Sequence, residues 1–130
     1  MPEVTWAHWL GWGVMIVMYL RYKIGPYRVR TRDGYVRVKV GGRRRRELEH
    51  RVKAERALRR RLQSFEVVHH RNGRRDDNRL VNLCVMSAQA HIRHHSWLDW
   101  YRASFGRYPA RQLERAKLLE LGGVLFEADL

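Results

Sequence analysis

The stretch that most constrains this chain runs from Glu66 to His95, EVVHHRNGRRDDNRLVNLCVMSAQAHIRHH, and carries five of the seven histidines. His69 and His70 close an apolar, β-branched run (Phe65, Val67, Val68) that reads as a short strand. Asn72-Gly73 follows, a strong turn dipeptide because both residues tolerate positive φ. A polar loop, Arg74 to Arg79, leads to a second apolar run, Leu80 to Met86, and Ser87 is placed to cap a helix starting near Ala88. The expected order is strand, loop, strand, helix, with imidazoles at the end of the first strand and on the helix.

That spacing has chemical consequences. Neighbouring residues of a strand point to opposite faces, so His69 and His70 can serve different tasks within one site. His91 and His95 are four apart and share a helical face, a spacing suited to holding a metal ion. His94 lies off that line and is expected to face solvent or phosphate. Asn82 has an amide that donates and accepts at once, and can tie a loop across to the strand. His50 reads as a packing or capping residue, and Asp76 and Asp77 as turn residues.

Charge points to a polyanionic partner. The chain carries 27 Lys and Arg against 13 Asp and Glu, a formal net charge of +14. Residues 21–61 hold 17 basic and 4 acidic residues, a local +13, so nearly all the excess precedes the histidine segment. Nucleic acid is the first partner such a field suggests and an acidic membrane surface the second. The single cysteine, Cys84, sits in an apolar run, cannot form an internal disulfide and suggests a reducing compartment.

The flanks are read from their periodicity. Val4 to Leu20 is almost wholly apolar, with Trp6, Trp9 and Trp12 at helical spacing. It falls short of the roughly 18 apolar residues of a membrane span, and the readings open to it are a packed helix, a dispensable extension or a membrane segment. Tyr27 to Thr31 and Tyr35 to Val40 alternate around Arg32-Asp33-Gly34 as a hairpin, with Val36, Val38 and Val40 on one face and Arg37 and Lys39 on the other. Glu47 to Leu62 reads as a basic helix with an apolar stripe of Leu48, Val52, Leu58 and Leu62. Trp97, Trp100, Tyr101 and Phe105 continue the histidine helix to about Ser104, as a core stripe first and as rings that could stack on bases second. Ala110 to Leu121 is a further amphipathic helix, followed by a short apolar tail.

Taken together, His69-His70, Asn82 and His91, with Glu49-His50-Arg51, Ala54-Glu55, Leu58 and Leu62 upstream, resemble the HNH endonucleases of phage and intron-encoded type. The likeness covers roughly residues 35–95. It departs from the family in having Arg59 where a Gly is frequent, and in lacking the CxxC pairs of the zinc-ribbon subtype.

The resemblance implies an α+β fold: a ββα-metal nuclease core with an N-terminal β-hairpin and basic helix, plus flanking helices. The implied domains are 1–24, an apolar helix or extension; 25–105, the nuclease domain; and 106–130, a C-terminal helical tail. The implied activity is hydrolysis of DNA phosphodiester bonds to 5′-phosphate and 3′-hydroxyl ends. His69, His91 and His95 would bind a divalent ion, Mg2+ or Mn2+ first and Zn2+ or Ni2+ as alternatives. His70 would be the general base and Asn82 its orienting residue through a loop contact, with Asn78 as rival. Arg43, Arg44, Arg45, Arg46, Arg51, Arg71, Arg74, Arg75, Arg79 and Arg93 would contact DNA. The partners implied are DNA, a second copy as homodimer, or a phage packaging or replication protein, in a bacterial cytoplasm. Two other classes stay open: a non-catalytic nucleic-acid-binding module with structural zinc, and a membrane-surface protein anchored by residues 4–20.

Overall fold

A computed structural model of the chain describes residues 28–41 and 45–126. The readings made for the apolar segment of residues 4–20, and for Arg43 and Arg44, lie outside the described residues. Among the described residues, no helix is long and apolar enough to cross a membrane.

Two three-stranded antiparallel sheets form the scaffold. β1 (Arg28–Arg30), β2 (Val36–Lys39) and β3 (Arg46–Leu48) make the first. The alternation of β2 has the expected effect: Val36 and Val38 are buried against Val52 of the following helix, while Arg37 is exposed. That helix, α1 (Glu49–Leu58), is shorter than the pattern suggested, because residues 46–48 pair with β2 instead of opening the helix. It ends where Arg59 takes a left-handed conformation, φ 55°, with the Arg60 N–H donating to the Glu55 carbonyl at 3.2 Å. This is a terminus that favours glycine, which gives a physical reason for the glycine that the resemblance leads one to expect here.

The second sheet carries the site. β4 (Glu66–His70) pairs with β5 (Leu83–Ser87), and β5 pairs with a two-residue strand, β6 (Val124–Leu125), that the apolar tail did not announce. The start of the run at Leu80 is a 3₁₀ turn, Leu80–Asn82. Leu83 to Met86 are all buried, as expected of a strand covered on both faces. Cys84 and Met86 pack with Ala90 of α2 (Ala88–Phe105) and Leu118 of α3 (Arg111–Glu120). The C-terminal helix and β6 thus join the same core as the histidine strand. Cys84 is wholly buried, and burial pushes its thiol pKa up to about 12, so it packs and does not react.

The aromatic residues of α2 do not form a core stripe. Ala90 and His94 are its buried residues, while Trp100 and Phe105 are 57% and 56% exposed. Length explains the correction. Eighteen helical residues span about 27 Å, and a five-residue strand only about 17 Å, so the second half of α2 runs past the sheet. There its rings pack on one another, Tyr101 against Phe105 at 4.6 Å and Trp97 at 5.7 Å. Phe65, placed in the first strand from its apolarity, precedes it and is also exposed.

Candidate metal and catalytic centre

Strand register separates the two adjacent histidines. His69 is opposite Cys84 and His70 opposite Leu83. Directly opposed residues share a face, so His69 lies on the face of Cys84 and Met86, toward α2 and α3, and His70 on the other.

α2 begins without a loop after β5, its first turn capped by Ser87 Oγ, which accepts from the Ala90 N–H at 3.1 Å. This immediate start brings its first two turns beside the end of β4. The His69 ring meets His91 and His95 edge-on at 5.2 Å each, and His94 at 4.8 Å. The expectation for His94 is overturned: it is wholly buried, on the same helical line as Ala90, four residues before it. One ring nitrogen from each of His69, His91 and His95 fits within 4.8 Å of the others. The Nε2 atoms of His91 and His95 are 3.1 Å apart, close to the ~3.3 Å separation of two nitrogens on a tetrahedral zinc-sized ion.

The electrostatics suit ligation. Burial, followed by the neighbouring imidazoles of His94, His91, His95 and His70, lowers the His69 pKa to about 3. Burial and His95 lower that of His91. These rings are therefore neutral near pH 7, with lone pairs free for a cation. His69 Nε2 is buried with no hydrogen-bond partner. A buried polar atom without a partner is costly, and a metal ion would satisfy it, so the three residues fit the ion that such a donor set implies.

His70 has a different setting. Its Nε2 lies 2.8 Å from Asn78 Oδ1, the Asn78 amide nitrogen donates to Glu49 Oε2 at 2.8 Å, and Arg28 donates to the same oxygen at 2.6 Å. A carboxylate only accepts, so the amide must present its nitrogen to Glu49 and its oxygen to His70. His70 Nε2 then carries the hydrogen, and the lone pair of the neutral ring is on Nδ1. Glu49 stays ionised: burial would raise its pKa, but bonds from Asn78 and Arg28 and the charges of Lys53 and Arg28 outweigh it, for a net lowering. His50 packs as expected, buried with its ring 5.0 Å from His70 and 5.3 Å from Tyr35. Burial, then the charges of His70 and Arg51, lower its pKa to about 4.

Asn82 contacts the loop and not the ring. Its oxygen accepts from the Asn72 N–H at 3.0 Å, and its nitrogen donates to the Asp77 carbonyl at 2.8 Å and to Asn72 Oδ1 at 2.9 Å. The ring contact belongs to Asn78. Sequence reasoning named Asn78 only as a rival and gave Glu49 and Arg28 no place in the site. An acidic residue opening an otherwise basic helix was the signal available for Glu49. A closed four-histidine site including His70 does not form, since His70 faces away from His69, His91 and His95.

The arginines divide. Arg71 turns inward, its side chain 10% exposed, and donates to Glu114 of α3 at 3.2 Å and to the Val81 carbonyl at 3.3 Å. It is therefore not a free surface cation, contrary to the expectation of a DNA contact. Arg51 is half-buried and donates to the Glu66 carbonyl at 3.5 Å. Arg75 lies 5.0 Å over the Tyr35 ring and donates to the Asp33 carbonyl at 3.1 Å, while Arg74 and Arg79 pair with Asp76 and Asp77. Arg45 and Arg93 are exposed, and Arg46 lies in β3. An Arg60–Glu66 fork, two contacts of 2.7 Å, ties the exit of α1 to the start of β4. It lowers the Glu66 pKa to about 2.

Residues 49–93 match the family model described as HNH endonuclease. No curated protein and no solved structure matches the chain significantly. The matched residues include Glu49, His50, His69, His70, Asn78, Asn82 and His91; they cover both strands, β4 and β5, and the start of α2, and end before His94 and His95. Through this segment the chain is similar to the HNH endonuclease family, and the segment opens a β–β–α arrangement of the kind that family implies.

Proposed function

We propose that the protein is a divalent-metal-dependent endonuclease that hydrolyses DNA phosphodiester bonds, leaving 5′-phosphate and 3′-hydroxyl ends. The observation that carries this reading is the divergence of the adjacent histidines. One joins an all-imidazole donor cluster, and the other ends a hydrogen-bonded chain that fixes its tautomer.

His69, His91 and His95 would hold the ion. Three nitrogen donors favour Zn2+ or Ni2+ over Mg2+ and Mn2+, which prefer oxygen. When bound, the cation neutralises phosphate charge and stabilises the departing 3′ oxygen.

The chain's own residues supply the proton chemistry. His70 Nδ1 takes a proton from the attacking water, while Nε2–H remains with Asn78. The positive charge on the ring then faces the Asn78 oxygen, whose amide is polarised by the Glu49 carboxylate behind it. Arg28 and Lys53 keep Glu49 ionised, so that the relay orients His70 without removing its proton. Asn82 holds the loop that delivers Asn78. Exposed arginines, Arg45 and Arg93 among them, add affinity for backbone phosphate without base selectivity.

The test is nicking of supercoiled plasmid by the full chain with Zn2+, Ni2+, Mn2+ and Mg2+ in turn, with the nicks then offered to a DNA ligase. Relaxed product that ligase reseals supports hydrolysis to 5′-phosphate and 3′-hydroxyl ends. A protein that binds metal and DNA yet never cuts with any of the four ions contradicts the proposal and favours a zinc-bearing binding module.

A further inference from the structure

The outer cluster leaves one histidine unexplained. His94 is wholly buried, and both of its ring nitrogens lack a hydrogen-bond partner. An imidazole in that state forfeits two polar interactions with nothing in return. Its ring lies 4.8 Å from His69 and 5.9 Å from Trp97. Glu114, 9% exposed and projecting from α3, brings a carboxylate to the same place. One donor atom each from His69, His94 and Glu114 lies within 4.8 Å of the others.

We propose that His69, His94 and Glu114 form a second, inner position for a divalent ion of the zinc class, distinct from the outer position with His91 and His95. Two imidazoles and a carboxylate are a common donor set for zinc. The atoms need to draw together to the ~3.3 Å spacing of tetrahedral ligands, a closure within reach of small side-chain rotations.

Neighbouring charge sets the balance. Arg71 occupies Glu114 through Oε2, and Lys117 is paired with Glu120 at 2.8 Å. Glu114 is thus the only carboxylate in the inner group, and its negative charge decides whether a dication is held there. His69 belongs to both groups. An ion in the inner position uses the ring that the outer one needs, so the two positions compete, and inner occupancy depletes the outer cluster of a ligand. The inner position rests on buried residues of β4, α2 and α3, and stands or falls separately from the catalytic reading.

The experiment uses Co2+ as probe, whose visible absorption reports coordination, with Zn2+ competition and thermal melting in parallel. The full chain carrying His91→Ala and His95→Ala, both at more exposed positions, loses the outer position. It is expected still to bind one Co2+ and to melt higher with the ion present. Adding Glu114→Gln, which keeps the side-chain volume and leaves Arg71 an oxygen to bind, is expected to weaken that affinity at least ~10-fold. If the double variant binds no Co2+ while the parent does, the inner position is overturned and the outer one stands. If Glu114→Gln changes nothing in that background, the inner position is overturned as well. A parent chain that binds no Co2+ overturns both positions.

Discussion

Two imidazoles one residue apart live in opposite worlds. On the His70 side a chain of protein contacts holds the ring: its Nε2 to Asn78, the amide to Glu49, the carboxylate to Arg28. On the His69 side four imidazoles crowd within about 6 Å, and three of the nitrogens among them are buried without a partner. A folded chain tolerates few such atoms. The contrast teaches that the His70 ring is oriented by protein groups alone, whereas the His69 cluster holds unpaired nitrogens that a cation would satisfy. A strand's two-residue repeat creates this division, and each face then acquires its own chemistry.

The comparison breaks most sharply on the His69 side. Replacing both His91 and His95 by Ala removes two of three outer ligands, and plasmid nicking at micromolar metal is expected to fall by ~10³ or more, since the ion supplies several kcal/mol of charge stabilisation. Cleavage within tenfold of the parent would show that the outer cluster is not the catalytic one. On the His70 side, Asn78→Ala or Glu49→Gln unfixes the tautomer while leaving the ligands in place. Nicking is expected to fall ~10–100-fold with Co2+ affinity unchanged, and parallel losses of both would merge the two environments into one.

Acid sharpens the contrast from behind. The buried His50 ring has a pKa of about 4, against roughly 6.5 in the unfolded chain. Above pH 6.5 neither state is protonated there. As pH falls from 6.5 toward 4, the unfolded state takes up a proton that the folded state refuses, so stability is lost across that window. His50→Gln is expected to flatten the stability profile of the metal-free protein by about 2 kcal/mol between pH 6.5 and 5. Urea titrations of parent and variant at the two pH values measure it, and identical slopes would contradict it. Smallest is a control far from either ring. Arg59→Gly relieves the left-handed terminus of α1 and is expected to stabilise by about 0.5–1 kcal/mol in the same titrations, with nicking unaltered; a destabilised variant would contradict this reading of the terminus.

Much of this was legible before any coordinates. The β4–β5–α2 order, the Ser87 cap and the shared face of His91 and His95 follow from local rules: strand alternation, cap chemistry and helical repeat. The valine face of β2 follows in the same way. What escaped was set by partners distant in the chain. His94 reads as a solvent residue until β4 lies against α2. Glu49 reads as an ordinary first-turn acid until Arg28, 21 residues earlier, and Asn78, 29 later, converge on it. The aromatic end of α2 looks like core because periodicity reports which residues share a face, and says nothing about whether a sheet extends far enough to cover it. Residues 46–48 became a strand because β2 offered an open edge.

The most direct test of the division between the two rings is one variant, His70→Ala, assayed for both plasmid nicking and Co2+ binding. The account predicts nicking reduced by ~10²–10⁴, with Co2+ bound at parental affinity because His70 faces away from the ligand cluster. Parental nicking, or loss of Co2+ binding together with activity, would contradict it.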